Sequence, residues 1–423
     1  MNQGKCINNI SFLKDKPIAG ERISGRLILL FSSLFLSLCL TSPAWSSPLI
    51  QVKIVEQEES IGIGATGPYQ IKNSQGRIVS FPFSPSLQVM QATPSGIKID
   101  GVLWGKQISV KPQGSDSLVL VGTLRGKRRY RGSVTVEQEE NHLRVINQLP
   151  LEEYLYGVIK WEISPTWSMD SLCAQAIAAR TYALKKIEEP LYQEQLHHLS
   201  ATVNDQVYGG FESEDPRIQE AVDMTGGRVI TYQGDLINAF YHSCCGGHTV
   251  SSKDVWGGED FPYLRVGPDE FCEKSPYYHW EWEIKRSELR RILFEQGFPT
   301  GIIYCLRVVS RAQNLSFTEG GRVTGLSWEH QGGKSPGQPL TGKEFRELIN
   351  KWFGTDKLRS ALFDEVKLYS KEGTSYFLFQ GRGSGHGVAM CQWGAKGMAE
   401  QGYSFEEILQ FYYPGTRIEK RYW

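Results

Sequence analysis

The chain has 423 residues, with 46 Lys and Arg against 46 Asp and Glu, so its formal net charge is zero. This balance argues against a nucleic-acid partner and against steering of ligands by a charged field. The length allows a sizeable core and two structural units. The 11 tryptophans and 19 tyrosines offer faces on which sugar rings stack, although aromatic residues are also ordinary core material.

The first 46 residues have the pattern of an export signal. The segment Leu27–Leu40 is apolar, and it follows a basic region formed by Lys14, Lys16, Arg22 and Arg26. The small residues of Ala44–Ser46 predict cleavage before Ser47. The alternative is an uncleaved anchor, but the apolar run is shorter than the roughly 18–20 residues that span a bilayer. We therefore predict a signal peptide over residues 1–46 and an exported protein, in the periplasm or cell wall.

Residues 47–140 show the short alternating runs of a β-rich domain. Examples are Ile50–Ile54, Ile108–Lys111 and Leu118–Val121, which are separated by turn residues. The runs Arg129–Val136 and Leu143–Asn147 are the last predicted strands before the pattern changes. We predict an α+β protein, with a β-rich N-terminal domain over 47–140 and a core domain over 141–423.

Two helices are predicted next. Pro150 occupies the favoured first position of a short helix, and a second, alanine-rich helix is predicted from about Met169 to Ile187. The apolar face of the second helix contains Arg180 among Cys173, Ile177 and Leu184. A buried guanidinium needs a carboxylate or a ligand, because an unpaired buried charge costs several kcal/mol.

Local signals mark the later elements. A hairpin is predicted to turn at Gln233–Asp235. Capping boxes predict helices after Thr341, with Glu344, and after Ser404, with Glu407.

The segment Gly381–Lys396 is the most informative part of the chain. It reads GRGSGHGVAMCQWGAK, and its alternating glycines allow another backbone or a ligand to approach closely. It matches neither the dinucleotide-binding nor the phosphate-loop pattern.

This segment, with its continuation Gly397–Thr416, resembles the C-terminal signature of the family of stage II sporulation protein D (SpoIID) and the amidase enhancer LytB. Leu149–Leu184 is similar to the N-terminal signature of that family. Shorter similar blocks are Asn204–Gly209, Ala239–His242 and Asp254–Trp256. The resemblance extends from about Arg129 to the C-terminus. It implies a β-rich N-terminal portion followed by a mixed α/β SpoIID-type catalytic core.

The resemblance implies a lytic transglycosylase that acts on cell-wall glycan, with Glu162 as the catalytic acid/base. The residues agree, because the apolar neighbours Trp161, Ile163 and Trp167 should raise the pKa of this carboxyl group. A lytic enzyme needs only one acid, since the 6-hydroxyl of muramic acid attacks the anomeric carbon. No second carboxylate stands out beside Glu162. The alternative is an ordinary surface glutamate at a helix end.

Five further residues are predicted to contact substrate: Arg180, His386, Gln392, Trp393 and Lys396. Arg180 resembles a family position tied to activity, and it either holds substrate or pairs with a carboxylate other than Glu162. Trp393 offers a stacking face and Lys396 a donor. The alternatives are a turn-stabilising role for His386, and packing or solvated surface for Gln392, Trp393 and Lys396.

A cluster of cysteine and histidine is the second chemical candidate. His242, Cys245, His248 and Cys272 have residue types that bind zinc, but Cys245 and Cys272 are equally suited to form a disulfide. Free thiols are the third alternative. Cys173 and Cys391 are interpreted as small buried hydrophobic residues.

The leading hypothesis is therefore cleavage of the MurNAc–GlcNAc bond of peptidoglycan, on strands without stem peptides, giving 1,6-anhydroMurNAc ends. It requires no cofactor; zinc is the one candidate. The alternative is a non-catalytic glycan-binding protein that enhances a cell-wall amidase. A third hypothesis is a zinc hydrolase that uses His242 and His248.

Overall fold

The computed structural model describes residues 47–422, with gaps at 85, 190–196, 299, 335–336, 338 and 355–356. The predicted signal peptide, residues 1–46, lies outside the described residues. Within the part that is described, no helix is both long and apolar enough to cross a bilayer.

The N-terminal region is built from β-sheet, as predicted. Its strands are β1 (Leu49–Glu58), β2 (Ser60–Ala65), β3 (Tyr69–Asn73), β4 (Ile78–Phe81), β5 (Gln88–Thr93), β6 (Gly96–Ile99), β7 (Val102–Leu103), β8 (Gln107–Pro112), β9 (Val119–Thr123), β10 (Gly126–Tyr130), β11 (Ser133–Glu139) and β12 (His142–Pro150). One sheet has the order β1-β12-β11-β8-β3-β4, and β13 (Leu199–Ser200) extends it beside β1. The other has the order β10-β9-β2-β5-β6-β7. Alternate side chains point inward, since Ile61 and Ile63 are buried while Ser60 is exposed.

The hairpin β11–β12 crosses the domain boundary predicted near residue 140. Glu139 pairs with His142, and β12 lies between β1 and β11 in the N-terminal sheet. Pro150 ends β12 and leads directly into the first helix. The sheet and the helices that follow it share one hydrophobic core.

Several helices contribute residues to the candidate site. The helices in the described part of the chain are α1 (Leu151–Tyr156), α2 (Ile159–Glu162), α3 (Met169–Glu188), α4 (Pro216–Met224), α5 (Ser252–Trp256), α6 (Arg286–Glu295), α7 (Gly342–Phe353), α8 (Gln392–Glu400) and α9 (Phe405–Tyr412). The predicted capping boxes are confirmed at Thr341 and at Ser404. α3 confirms the alanine-rich helix. Its small side chains let it pack on both faces, with Leu172 in one core and Ile177 in another.

Short strands complete the chain. They are β14 (Arg228–Tyr232), β15 (Asp235–Leu236), β16 (Tyr241–His242), β17 (His248–Thr249), β18 (Gly267–Pro268), β19 (His279–Lys285), β20 (Ile303–Arg311), β21 (Val323–His330), β22 (Gly333–Lys334), β23 (Lys367–Lys371), β24 (Thr374–Arg382), β25 (Met390–Cys391) and β26 (Arg417–Lys420). β14 and β15 form the predicted hairpin. β16 and β25 pair in parallel, so Tyr241 lies beside Met390 and His242 beside Cys391. A separate hydrophobic core includes Trp280 and the buried apolar residues of α7.

Candidate active site

Glu162 is the last residue of the single-turn helix α2. The chain leaves the helix at Ile163 in an extended conformation, and Ser164–Pro165 follow. The neighbouring Trp161 is 56% exposed, and its indole nitrogen is held by Ser213 Oγ at 2.7 Å. α2 therefore presents a carboxyl group and a fixed aromatic ring side by side.

The carboxyl group of Glu162 has polar contacts, and none of the described residues forms an ion pair with it. Gln392 Nε2 donates to Glu162 Oε2 at 3.3 Å, and the Tyr241 side chain also forms a hydrogen bond to Glu162. Burial raises the pKa of Glu162 to about 7, although both hydrogen bonds act to lower it. A large fraction of Glu162 is therefore protonated at neutral pH.

A buried hydrogen-bond network holds these two partners in place. Gln392 Nε2 also donates to Gln175 Oε1 on α3, at 3.4 Å. Gln206 Nε2 donates to Tyr241 Oη at 2.8 Å, and Tyr154 Oη donates to Gln206 Oε1 at 3.2 Å. Buried networks of this kind rigidify the groups they connect. The groups around Glu162 are thus fixed by residues from several distant parts of the chain.

Glu162 opens into a cavity of about 940 Å³. Aromatic side chains line it, namely Trp161, Trp167, Tyr182, Phe240, Tyr241, Trp256, Tyr277 and Trp393. Trp167 and Trp393 meet edge to face with their centroids 5.1 Å apart. Trp256, 40% exposed, contacts Phe240 and His386. Large, partly exposed rings around a polar centre are suited to binding sugars.

The cavity continues into a second one of about 340 Å³. Both are lined by Val203, Asn204, Trp256 and His386. Lys343 and Arg346 of α7 line the second cavity. Together the two form a continuous groove, and in its second part Lys343 pairs with Glu347 beside Arg346.

The alternating glycines allow two loops to interlock, as predicted from the sequence. Gly383 has φ +74°, and a Cβ built there would lie 2.6 Å from the carbonyl oxygen of Cys244. Ser384 and Cys244 exchange backbone hydrogen bonds, of 2.8 and 3.0 Å. The glycines therefore admit another backbone at this point, and the loop forms part of the cavity wall.

His386 lines the cavity, but both of its ring nitrogens bind backbone. Val388 N donates to Nδ1 at 3.1 Å, so Nε2 carries the proton and donates to the carbonyl oxygen of Tyr241 at 2.9 Å. Burial lowers the pKa of His386 to about 3, so the ring is neutral. This is the turn-stabilising arrangement, which leaves only the ring edge for a substrate.

Arg180 is completely buried and does not line the cavity. Its guanidinium forms a bidentate pair with Glu152, with Nε–Oε1 at 2.9 Å and Nη2–Oε2 at 2.7 Å. The remaining donors bind Thr225 Oγ1 and the carbonyl oxygens of Val222 and Arg228. Since all five N–H groups have partners, the predicted substrate contact is corrected to a structural ion pair. The alternative, pairing with a carboxylate other than Glu162, is the one observed.

Gln392 and Trp393 line the cavity, as predicted, whereas Lys396 does not. Lys396 pairs with Glu400, and its Nζ lies 5.3 Å from the ring centroid of Trp393. Lys396 therefore contacts the ring of Trp393 without lining the cavity. Its predicted substrate contact is corrected to this contact with Trp393.

The predicted zinc ligands do not converge as a set. Cys245 and Cys272 lie together, with 3.3 Å between their sulfur atoms. His242 Nδ1 instead contacts the carbonyl oxygen of Val388, and His248 Nδ1 contacts that of Thr249. Among the described residues, the group that could hold a metal is Cys245, Asp269, Cys272 and Cys391. The predicted ligand set is therefore corrected, because the two histidines lie outside the group of ligand atoms that the structure brings together. Cys391 is a member of a thiol cluster rather than a simple hydrophobic residue.

Comparisons with known proteins agree with the family resemblance. The SpoIID family, described as stage II sporulation protein, matches residues 139–232. An uncharacterised protein of Brachyspira hyodysenteriae is 28% identical over 378 residues, covering 88% of this chain and 92% of that protein. The amidase enhancer of Bacillus subtilis is 29% identical over 307 residues, which is 62% of this chain but 40% of that protein. Stage II sporulation protein D of Bacillus subtilis is 27% identical over 290 residues, covering 65% and 76%. The chain is therefore a relative of stage II sporulation protein D and the amidase enhancer, as its motifs predicted.

Several residues of the site were not identified from the sequence. Tyr241 lies within a family-like block, but its position relative to Glu162 depends on the pairing of β16 with β25. Gln175 and Gln206 are buried polar residues on or beside apolar segments. A glutamine on the buried face of α3 is the sequence signal that would have indicated a polar network there.

Proposed function

We propose that this protein is an exported lytic transglycosylase that cleaves the MurNAc–GlcNAc bond of peptidoglycan. The observation that supports it most is the carboxyl group of Glu162, which has a pKa of about 7 and forms no ion pair within the described part of the chain, in a cavity lined by tryptophans. A protonated carboxyl in such a site is a general acid poised near neutral pH.

In the proposed reaction Glu162 acts twice. Its proton passes to the glycosidic oxygen as the bond to the anomeric carbon breaks. The 6-hydroxyl of the same muramic acid then attacks that carbon, and its proton passes to the Glu162 carboxylate. The products are a free GlcNAc end and a 1,6-anhydroMurNAc end, and the enzyme returns to its starting state.

The other acid among the described residues that line the cavity is Asp205, which is fully engaged. Its Oδ2 accepts hydrogen bonds from Ser200 N and Oγ, both at 2.9 Å, and its Oδ1 accepts one from Tyr182 at 3.2 Å. An ordinary glycosidase needs a second carboxylate that acts on water or on the sugar. Asp205 is held by these bonds, so the site fits a mechanism with one acid.

Substrate binding is proposed to use the aromatic walls and the second cavity. Trp161, Trp256 and Trp393 offer faces or edges to sugar rings. Arg346, which lines the second cavity, would attract the lactyl carboxylate that a muramic acid carries once its stem peptide is removed. These features support peptidoglycan strands without stem peptides as the substrate.

The deciding experiment is product analysis by mass spectrometry on stem-peptide-free glycan. We expect the wild type to release fragments with 1,6-anhydroMurNAc ends, and Glu162→Gln to lower the rate by about 10²- to 10⁴-fold. The matched control is Glu153→Gln, because Glu153 is also half-buried with a pKa raised by burial but lies outside the cavity. Absence of anhydro ends from the wild type, with the glycan bound, would reject the proposal.

The second candidate is enhancement of a cell-wall amidase, which the name of the Bacillus subtilis relative supports. Under this alternative the groove binds glycan and presents it to the amidase. Stimulation of a purified amidase should then survive Glu162→Gln but fail on Trp161→Ala. The same pair of variants thus separates the two functions.

A further inference from the structure

Three thiols and a carboxylate converge at the hydrophobic core that contains Ile177, outside the lining of the two cavities. The ligand atoms of Cys245, Asp269, Cys272 and Cys391 lie within 4.8 Å of one another, and all four residues are buried. Cys245 Sγ lies 3.3 Å from Cys272 Sγ and 3.2 Å from Asp269 Oδ2. Two zinc-bound thiolates are about 3.8 Å apart, given tetrahedral geometry and Zn–S bonds of about 2.3 Å. The cluster is therefore within small side-chain adjustments of a closed, four-ligand site.

Backbone donors already point at one of these sulfur atoms. Cys391 Sγ accepts hydrogen bonds from Cys245 N at 3.2 Å and from Gly394 N at 3.3 Å. Gly394 lies in the first turn of α8, where the helix dipole also favours negative charge. A metal-bound sulfur atom can keep both of these hydrogen bonds, so the backbone is already arranged around Cys391 as a ligand.

A buried positive charge beside the cluster lacks an anionic partner. Arg322 is 2% exposed, and its guanidinium donates to the carbonyl oxygens of Cys245, at 2.9 Å, and Gly385, at 3.3 Å. Among the described residues Arg322 forms no ion pair, and its Nε is buried without a hydrogen-bond partner. A buried guanidinium without a nearby anion is costly. Three thiolates and a carboxylate around one divalent cation carry a net charge of −2, which would offset that of Arg322.

The carboxylate has the outer contacts expected of a metal ligand. Tyr412 Oη donates to Asp269 Oδ2 at 2.8 Å, and Phe271 N donates to Oδ1 at 3.0 Å. Such contacts orient ligating carboxylates in metalloproteins.

We propose that Cys245, Asp269, Cys272 and Cys391 bind one structural zinc ion. Sulfur-rich, four-coordinate sites favour zinc, and a closed site leaves no position for substrate. Cys391 immediately precedes Gln392, and Cys245 follows Tyr241 by four residues. The ion would therefore fix the two segments that carry the hydrogen-bond partners of Glu162. The proposal does not depend on the proposed reaction, since a zinc ion would stabilise this wall in an enzyme or in an amidase enhancer.

The test is metal analysis of the chain from Ser47 onward, purified with a thiol reductant and without chelator. We expect about one zinc per chain by mass spectrometry of the metal. Replacement by cobalt(II) should give the thiolate-to-metal charge transfer and the intense visible bands of a tetrahedral site. Cys272→Ser and Cys391→Ser should lose the metal, whereas Cys305→Ser, a half-buried cysteine outside the cluster, should keep it.

Two further variants test the fourth ligand. Cys244 is buried beside the cluster, and its side chain contacts those of Cys272 and Cys391. We expect Asp269→Asn to weaken zinc binding at least tenfold and Cys244→Ser to leave it unchanged. The reverse result would overturn the assignment of Asp269.

The rival state is a disulfide between Cys245 and Cys272. Thiol titration of the chain, purified without reductant and then denatured with a chelator, should give six reactive thiols if zinc is bound. Two fewer thiols, with no metal in either preparation and no cobalt spectrum, would overturn the proposal. This readout needs only the wild type, so it stands even if a cysteine variant fails to fold.

Discussion

Glu152 and Glu162 lie ten residues apart, and the contrast between them separates structure from function in this protein. Glu152 accepts two hydrogen bonds from Arg180 and one from Gly227 N, at 2.7–3.1 Å. Among the described residues the partners of Glu162 are an amide and a phenol, and burial raises the pKa of Glu162. One carboxylate is compensated and holds the fold together, whereas the other is left uncompensated beside a cavity. Uncompensated burial costs stability, and functional sites are where proteins accept such a cost.

The largest expected effect comes from breaking the compensated ion pair between Arg180 and Glu152. We expect Arg180→Ala to lower the free energy of unfolding by about 3–5 kcal/mol, because it leaves Glu152 without its ionic partner in a buried site. Chemical denaturation measures this. The control is Arg129→Ala, whose pair with Glu212 is exposed and whose loss should cost less than about 1 kcal/mol.

Arg180→Lys extends this test if the alanine variant does not fold. It keeps the charge but loses the bidentate geometry, so it should also be destabilised. Unchanged stability together with a raised KM for glycan would contradict the structural role and restore Arg180 as a substrate contact.

Neutralising the uncompensated carboxyl group of Glu162 should, in contrast, stabilise the protein. The pKa of Glu162 is about 7 in the folded state and roughly 4.3 in the unfolded state, so the folded state binds the extra proton in between. Stability of the wild type therefore falls as pH rises through that interval. Glu162→Gln should gain about 1–3 kcal/mol above pH 7 and nothing below pH 4, by denaturation across pH.

Glu407→Gln is the control for this measurement. Glu407 caps α9 and has a lowered pKa because of its bonds to Ser404, so this variant should lose stability at neutral pH. A gain for Glu162→Gln that does not depend on pH would show that Glu162 is not the titrating group.

A smaller effect tests the aromatic walls that face Glu162. We expect Trp161→Ala to reduce kcat/KM on glycan about tenfold, or roughly 1.4 kcal/mol, because it removes one stacking face. Trp352→Ala is the matched control, since Trp352 is 38% exposed but lies outside both cavities. Equal losses in the two variants would exclude a specific role for Trp161.

The smallest effect concerns the hydrogen bonds that tune Glu162. The bond from Tyr241 lowers the pKa of Glu162, so Tyr241→Phe should raise it. The alkaline limb of the pH–rate profile should then move to higher pH, by less than about one unit, even as the rate falls. Tyr277→Phe removes a hydroxyl from the same cavity and should leave the limb in place. A shift to lower pH would contradict the geometry.

Local sequence signals predicted the elements well wherever a local rule applied. The capping boxes at Thr341 and Ser404, the hairpin at Gln233–Asp235 and the alanine-rich helix all form as predicted. These features depend on hydrogen bonds between residues close in the chain, so the sequence alone is sufficient.

Site residues were less predictable because their partners are distant in the chain. Gln392 lies 230 residues from Glu162, and Arg180 lies 28 residues from Glu152. The sequence indicated that Arg180 needs an anion but not which one. Spacing similarly suggested histidines as partners of Cys245, whereas the fold supplies Asp269 and Cys391.

The sequence by itself determined the main strands and helices and the family motifs, and it indicated Glu162 as the candidate acid. Only the tertiary structure decided which charges are compensated. It buried Glu162 without an ion pair to any described residue, joined Arg180 to Glu152 and gathered the thiols, because electrostatic energy depends on distance and burial rather than on position along the chain.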